Sequence, residues 1–155
     1  MMSSVLIDTQ ILAWSLVDPG KLSETACAKL TEVTKVYVPP IAFYEIARKV
    51  RIGKWDEMKP HMDGLGGLVE KQGFHFAPYT ARMATQAGLL EWDHRDPFDR
   101  MIAATALELK VELVSSDVVF DELDSRDDWR GRVWKHQPNV SVHLSQPAVE
   151  GLGSE

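Results

Sequence analysis

Four carboxylates, Asp8, Glu45, Asp99 and Asp117, stand far apart in the chain, yet each lies at or near the junction of a strand-like and a helix-like stretch. Asp8 closes the apolar run Val5-Leu6-Ile7, and Glu45 falls in the helical pattern that follows Val36-Tyr37-Val38. Asp99 opens the helix running to Leu109, and Asp117 follows Leu113-Val114-Ser115-Ser116. Parallel strands in an open α/β sheet end along one shared edge, where such folds place their sites. Carboxylates gathered there repel one another and resist ionisation unless a divalent cation neutralises them. The chemistry this predicts is a hard-oxygen metal site that hydrolyses phosphodiesters.

Each residue also has an ordinary local reading. Asp8 fits an N-cap for the helix after it, but a carboxylate between two apolar runs is costly to desolvate unless paired or metal-bound, which favours a ligand. Glu45, flanked by Phe43, Tyr44, Ile46 and Ala47, suits either a ligand or an ion pair with Arg48 or Lys49. In Asp96-Pro97-Phe98-Asp99, Asp96 fits the N-cap and Pro97 the first helical position. Asp99 then points from the first turn, where acidic residues are favoured in any case. Asp117 suits a turn or cap as well as a ligand at the sheet edge, with Ser116 placed to orient it or a water. Secondary candidates are therefore Asp96, Ser116 and Arg100. The spacing predicts that Arg100 pairs with Asp96 at i, i+4; the alternative is that it holds a phosphate. His94 borders the region and is read as structural rather than catalytic.

The elements needed to position these groups are legible as a pattern. Strands are expected at residues 4–8, 36–38, 74–77 and 111–115, with a short edge strand at 131–134. Helices are expected at 9–17, from a Ser23 cap to Val33, at 41–52 closed by Gly53, from a Thr80 cap, and from Asp96 to Leu109. Residues 54–72, interrupted by Pro60 and by Gly64, Gly66 and Gly67, read as one broken helix or two short ones. Alternation at this spacing implies a parallel sheet covered on both faces.

At 155 residues the chain suits one main domain, with 45% apolar and 26% charged residues. Residues 1–135 are expected to hold that domain and 136–155 a poorly ordered tail. A net charge of −6 argues against broad attraction to nucleic acid but not against an enzyme acting on it. Arg48, Lys49, Arg51 and Lys54 form a basic run that suits a helix C-terminus or a phosphate-holding rim. Cys27 is alone, which excludes an internal disulfide and a cysteine zinc site; its pattern predicts a small core residue. The five Trp residues are scattered in sequence and define no stacking platform. There is no secretory signal and no span of ~20 apolar residues, so no membrane is expected and a cytoplasmic location is.

Val5-Leu6-Ile7-Asp8-Thr9, Glu45-Ile46-Ala47-Arg48-Lys49 with Gly53-Lys54, the block from His94 to Ala104, and Leu113-Val114-Ser115-Ser116-Asp117 together resemble the PIN-domain family, and within it the VapC-type toxins of toxin–antitoxin pairs. The resemblance spans roughly residues 4–123, and its block from His94 to Ala104 is specific. It implies a three-layer α/β/α fold with a central parallel sheet of four to five strands. It also implies a Mg²⁺- or Mn²⁺-dependent endoribonuclease with Asp8, Glu45, Asp99 and Asp117 as catalytic and metal-binding residues. An RNA substrate, a small VapB-like antitoxin and a homodimer are implied partners. Ala42 and Gln10 depart from the family pattern, where Ser and His are common, without removing a carboxylate. The rival readings are a non-catalytic PIN-like binding module and, more remotely, a receiver-like phosphoacceptor. The second fails because the strand at 74–77 has no terminal Asp.

Overall fold

The computed structural model describes residues 3–135. Five short strands form one wholly parallel sheet: β1 (Ser4–Ile7), β2 (Lys35–Val38), β3 (His75–Phe76), β4 (Glu112–Val114) and β5 (Arg132–Val133), in the order β3-β2-β1-β4-β5. That is the upper strand count expected, with the edge strands cut to two residues each. The order differs from the 2-1-3-4-5 of flavodoxin-like folds, which removes the receiver-like alternative on topology as well.

Six α-helices fill the connections: α1 (Thr9–Val17), α2 (Glu24–Glu32), α3 (Ile41–Arg51), α4 (Leu65–Lys71), α5 (Ala81–Leu89) and α6 (Pro97–Leu109). Their starts follow from capping chemistry. Asp8, Ser23 and Thr80 accept backbone N–H bonds from Ile11, Ala26 and Met83. Asp96 accepts from Phe98 at 2.8 Å, with Pro97 at the first helical position. α3 ends in a Schellman turn: Lys54 N–H donates to the Lys49 carbonyl and Gly53 N–H to that of Val50, with Gly53 at φ +76°. Residues 54–72 do divide, into a 3₁₀ helix at Asp56–His61 and α4, with Gly64 at φ +85° between them.

Strand alternation sorts side chains into two cores. Val5, Ile7, Val36, Val38 and Val114 point into one layer with Ile11, Leu12, Ile46, Met58 and Val69. Leu6 and Leu113 point into the other with Ile102, Ala103, Ala106, Phe120 and Leu123. β1 is buried on both faces because it is the middle strand of three layers. That explains why its sequence is a continuous apolar run rather than an alternating one.

Cys27 is a correction. It is exposed, because α2 turns Ala26 inward and leaves its neighbour facing solvent. The expected tail at 136–155 lies outside the described residues. Among the described residues, no helix is long and apolar enough to cross a membrane.

Candidate metal centre

β1 is flanked by β2 on one side and β4 on the other. Connections leaving the two middle strands diverge at such a switch point and leave a crevice beyond their C-terminal ends. Asp8 is the first residue past β1, and its backbone N–H donates to the Val114 carbonyl at 3.3 Å. Asp117 lies just past β4, and α3 and α6 bring Glu45 and Asp99 to the same opening. All four carboxylates, with Asp96 and Ser116, line one cleft of about 350 Å³.

Asp8 and Glu45 are buried, Asp99 is half-buried, and Asp117 is exposed at the rim. Several of the ordinary local readings hold at the same time. Asp8 Oδ1 caps α1 through the Ile11 N–H at 3.0 Å, and Asp117 Oδ1 accepts from Val119 N–H at 3.0 Å. Glu45 meets Lys49 at 3.5 Å across i, i+4. A cap uses one carboxylate oxygen and leaves the second free, so capping and metal binding are compatible on one residue.

The electrostatics of the cleft are those of an acidic cluster with too little positive charge. Burial pushes the Asp8 carboxyl up to about 6, with the Asp99 and Glu45 charges adding to the rise against hydrogen bonds from Ser115 and the Ile11 N–H. Burial also pushes Asp99 up to about 6, helped by Asp96 and Asp117 and opposed by its hydrogen bond to His94. A site that raises two carboxyls toward neutral pH gains stability from a cation placed among them. The donor set is carboxylate and hydroxyl oxygen, which suits a hard divalent ion such as Mg²⁺ or Mn²⁺. The tightest ligand-type group among the described residues is His94, Asp96 and Asp99, whose donor atoms lie within 4.8 Å of one another.

Three residues take parts that sequence did not assign. Thr9 Oγ1 donates to Glu45 Oε1 at 2.6 Å, fixing that carboxylate's orientation. His94 Nε2 lies 2.7 Å from Asp99 Oδ2. Ser115, rather than Ser116, holds Asp117, its Oγ accepting the Asp117 N–H at 3.0 Å, and it also lowers the Asp8 carboxyl pKa; its own N–H still pairs with the Val133 carbonyl and keeps the residue in the sheet. Thr9 and Ser115 adjoin residues that the pattern singles out, but one-residue resolution in orientation needs the strand register.

Arg100 is a second correction. It neither pairs with Asp96 nor lines the cleft. Its guanidinium donates to five carbonyls: Ala87 and Gly88 near the end of α5, then Leu90, Trp92 and His94. All five donors of the fork are used on backbone. Arg100 therefore clamps the segment from α5 to the start of α6, which carries His94.

A parallel sheet with an acidic cluster at its switch point defines a class of α/β domain whose clustered carboxylates could hold a divalent ion. A family model places the chain more narrowly: residues 5–125 match that of the PIN domain, and the chain belongs to this family. It is similar to Ribonuclease VapC22 of Mycobacterium tuberculosis (strain ATCC 25618 / H37Rv), 29% identical over 117 residues that cover 75% of this chain and 88% of that protein. Two solved structures share the fold. The structure of VapBC2 from Rickettsia felis, bound to a DNA fragment from their promoter, matches at TM-score 0.57 and 12% identity, covering 84% of this chain and 98% of that one. The structure of FitAcB from Neisseria gonorrhoeae matches at TM-score 0.50 and 20% identity, covering 77% and 93%.

Proposed function

We propose that residues 1–135 form a divalent-metal-dependent endoribonuclease that acts in the cytoplasm as the toxin of a toxin–antitoxin pair. The observation that carries this reading is the cleft itself, where buried Asp8 and half-buried Asp99 are held near pKa 6 with Glu45 and Asp117 beside them. The likeness to a ribonuclease over most of both chains supports RNA as the substrate.

Asp8, Glu45, Asp99 and Asp117 would hold Mg²⁺ or Mn²⁺, directly or through water. Such an ion supplies an activated water and stabilises charge on the departing oxygen. The chain's own residues do the positioning. Thr9 holds Glu45 in one orientation, and His94 does the same for Asp99. The Ile11 N–H restrains Asp8 and Ser115 Oγ holds the Asp117 backbone, so the ligand oxygens are set before an ion arrives. The partner would be a small VapB-like antitoxin that blocks the cleft, on a toxin that forms a homodimer.

The test is cleavage of RNA by the purified protein with Mg²⁺ or Mn²⁺ against chelator, with Asp8→Asn alongside. Cleavage that needs the ion and is lost in Asp8→Asn is expected. Wild-type turnover by Asp8→Asn would refute the site, and absence of cleavage with either ion would leave the fold as a binding module. Growth arrest on expression, relieved by a small protein encoded beside the gene, tests the toxin role.

A further inference from the structure

A larger groove of about 810 Å³ opens beside the acidic cleft. It runs along α1 past Ala13, Trp14 and Val17 to the end of α3, and it shares Gln10, Lys49 and Trp55 with the cleft. Trp14 and Trp55, distant in sequence, both border it, so the fold assembles an aromatic surface that sequence alone does not display. Lys21, Lys49 and Lys54 face it against two carboxylates, Asp18 and Glu57.

One of those lysines, Lys54, owes its place to the turn at Gly53. The Schellman bonds fold the chain back over the end of α3, which brings Lys54 and Trp55 beside Lys49. Lys49 marks the joint between the two spaces. Its ammonium lies 3.5 Å from Glu45 and 5.1 Å from the centroid of the Trp55 ring. Lys21 reaches Asp18 at only 3.8 Å, and both are more than half exposed, so that pair holds Lys21 weakly.

A polyanion entering this site meets a difficulty. The cleft is acidic and the chain carries net charge −6, so affinity for a phosphodiester strand has to come from a basic surface next to the cleft. Cations spaced between indole rings are the chemistry that holds single strands, with phosphates on the cations and bases on the rings. Resting on the ribonuclease reading above, we propose that this groove holds the single-stranded RNA adjoining the scissile phosphate, with phosphates on Lys21, Lys49 and Lys54 and bases against Trp14 and Trp55.

The test measures binding without cleavage. Asp8→Asn protein is titrated into a fluorescein-labelled single-stranded RNA of about a dozen nucleotides, in chelator, at several salt concentrations. Adding Lys21→Ala or Lys54→Ala should weaken binding and flatten the slope of log K against log[salt] by about 0.7 each. Trp55→Leu should weaken it by roughly 5- to 100-fold, and Trp55→Phe should recover most of that loss. Lys71→Ala, an exposed cation away from both spaces, should change neither affinity nor slope. Unchanged affinity and slope in the Lys21 and Lys54 variants would overturn the proposal. So would variants that bind RNA normally but lose a co-expressed protein partner, which would assign the groove to protein. The two readings fail separately: the nuclease reading falls if wild type does not cleave with Mg²⁺ or Mn²⁺, and the groove falls if wild type cleaves while these variants bind as tightly as their parent.

Discussion

Asp8→Asn removes a charge while keeping the shape, and its effect on stability tests the electrostatic account apart from any activity. Asparagine still offers an oxygen to the Ile11 N–H that Asp8 caps at 3.0 Å. The wild-type carboxyl is held at about 6 against an ordinary 3.8. At about 1.4 kcal/mol per pH unit, its ionised form costs the metal-free fold about 3 kcal/mol at pH 7. Because the folded pKa lies above the unfolded one, the folded state keeps its proton longer. Wild-type stability from this group is therefore full below pH ~4 and is lost as pH rises through ~6. Thermal unfolding in chelator should show Asp8→Asn more stable than wild type at pH 7, by roughly 5–10 °C for a chain of this size. The advantage should vanish at pH 4. Mg²⁺ should then raise the wild-type melting temperature more than the variant's. A variant less stable than wild type at pH 7, or one with the same gain at pH 4, would refute the reasoning.

Arg100→Ala strands five carbonyls between Ala87 and His94 and should cost about 3 kcal/mol or more in urea unfolding; Arg100→Lys, with a point charge and three donors, should recover only part of it. His94→Ala removes the hydrogen bond that holds the Asp99 carboxyl down against burial. The pH midpoint of Mg²⁺ binding, followed by calorimetry, should therefore move upward, and a downward move would contradict the assignment. Thr9→Val deletes the 2.6 Å bond to Glu45 and should cost about 1–2 kcal/mol in the same unfolding assay, read against pH to separate it from the carboxylate titrations.

The four carboxylates were legible because each sits beside a signal with its own physics. Asp8 ends an apolar run too short for a helix, and Asp99 follows an Asp-Pro helix start. Their convergence follows from parallel topology, which the alternation of elements already implies. Arg100 was not legible. Its partners are main-chain carbonyls from a helix end and an irregular loop, and no side-chain pattern records where those point. Ser115 and Ser116 differ by one position, and only the continued pairing of Ser115 with β5 decides which of them holds Asp117. Cys27 was misplaced because α2 buries one residue, Ala26, too few for periodicity to fix the helix phase. Trp14 and Trp55 looked unrelated because what brings them to one groove is the packing of α1 against α3 and the 3₁₀ helix after it, a tertiary event.

The strand order has a consequence during biosynthesis. β1 leaves the ribosome before the other four strands, yet the neighbour that completes β1 on its second side is β4, and the Val114 carbonyl is what fixes the Asp8 backbone. A nascent chain halted before Glu112 already carries Asp8, Glu45 and Asp99 but lacks the strand that aligns the first of them. The complete cleft thus assembles late in translation, and truncated products carry the charges without the geometry.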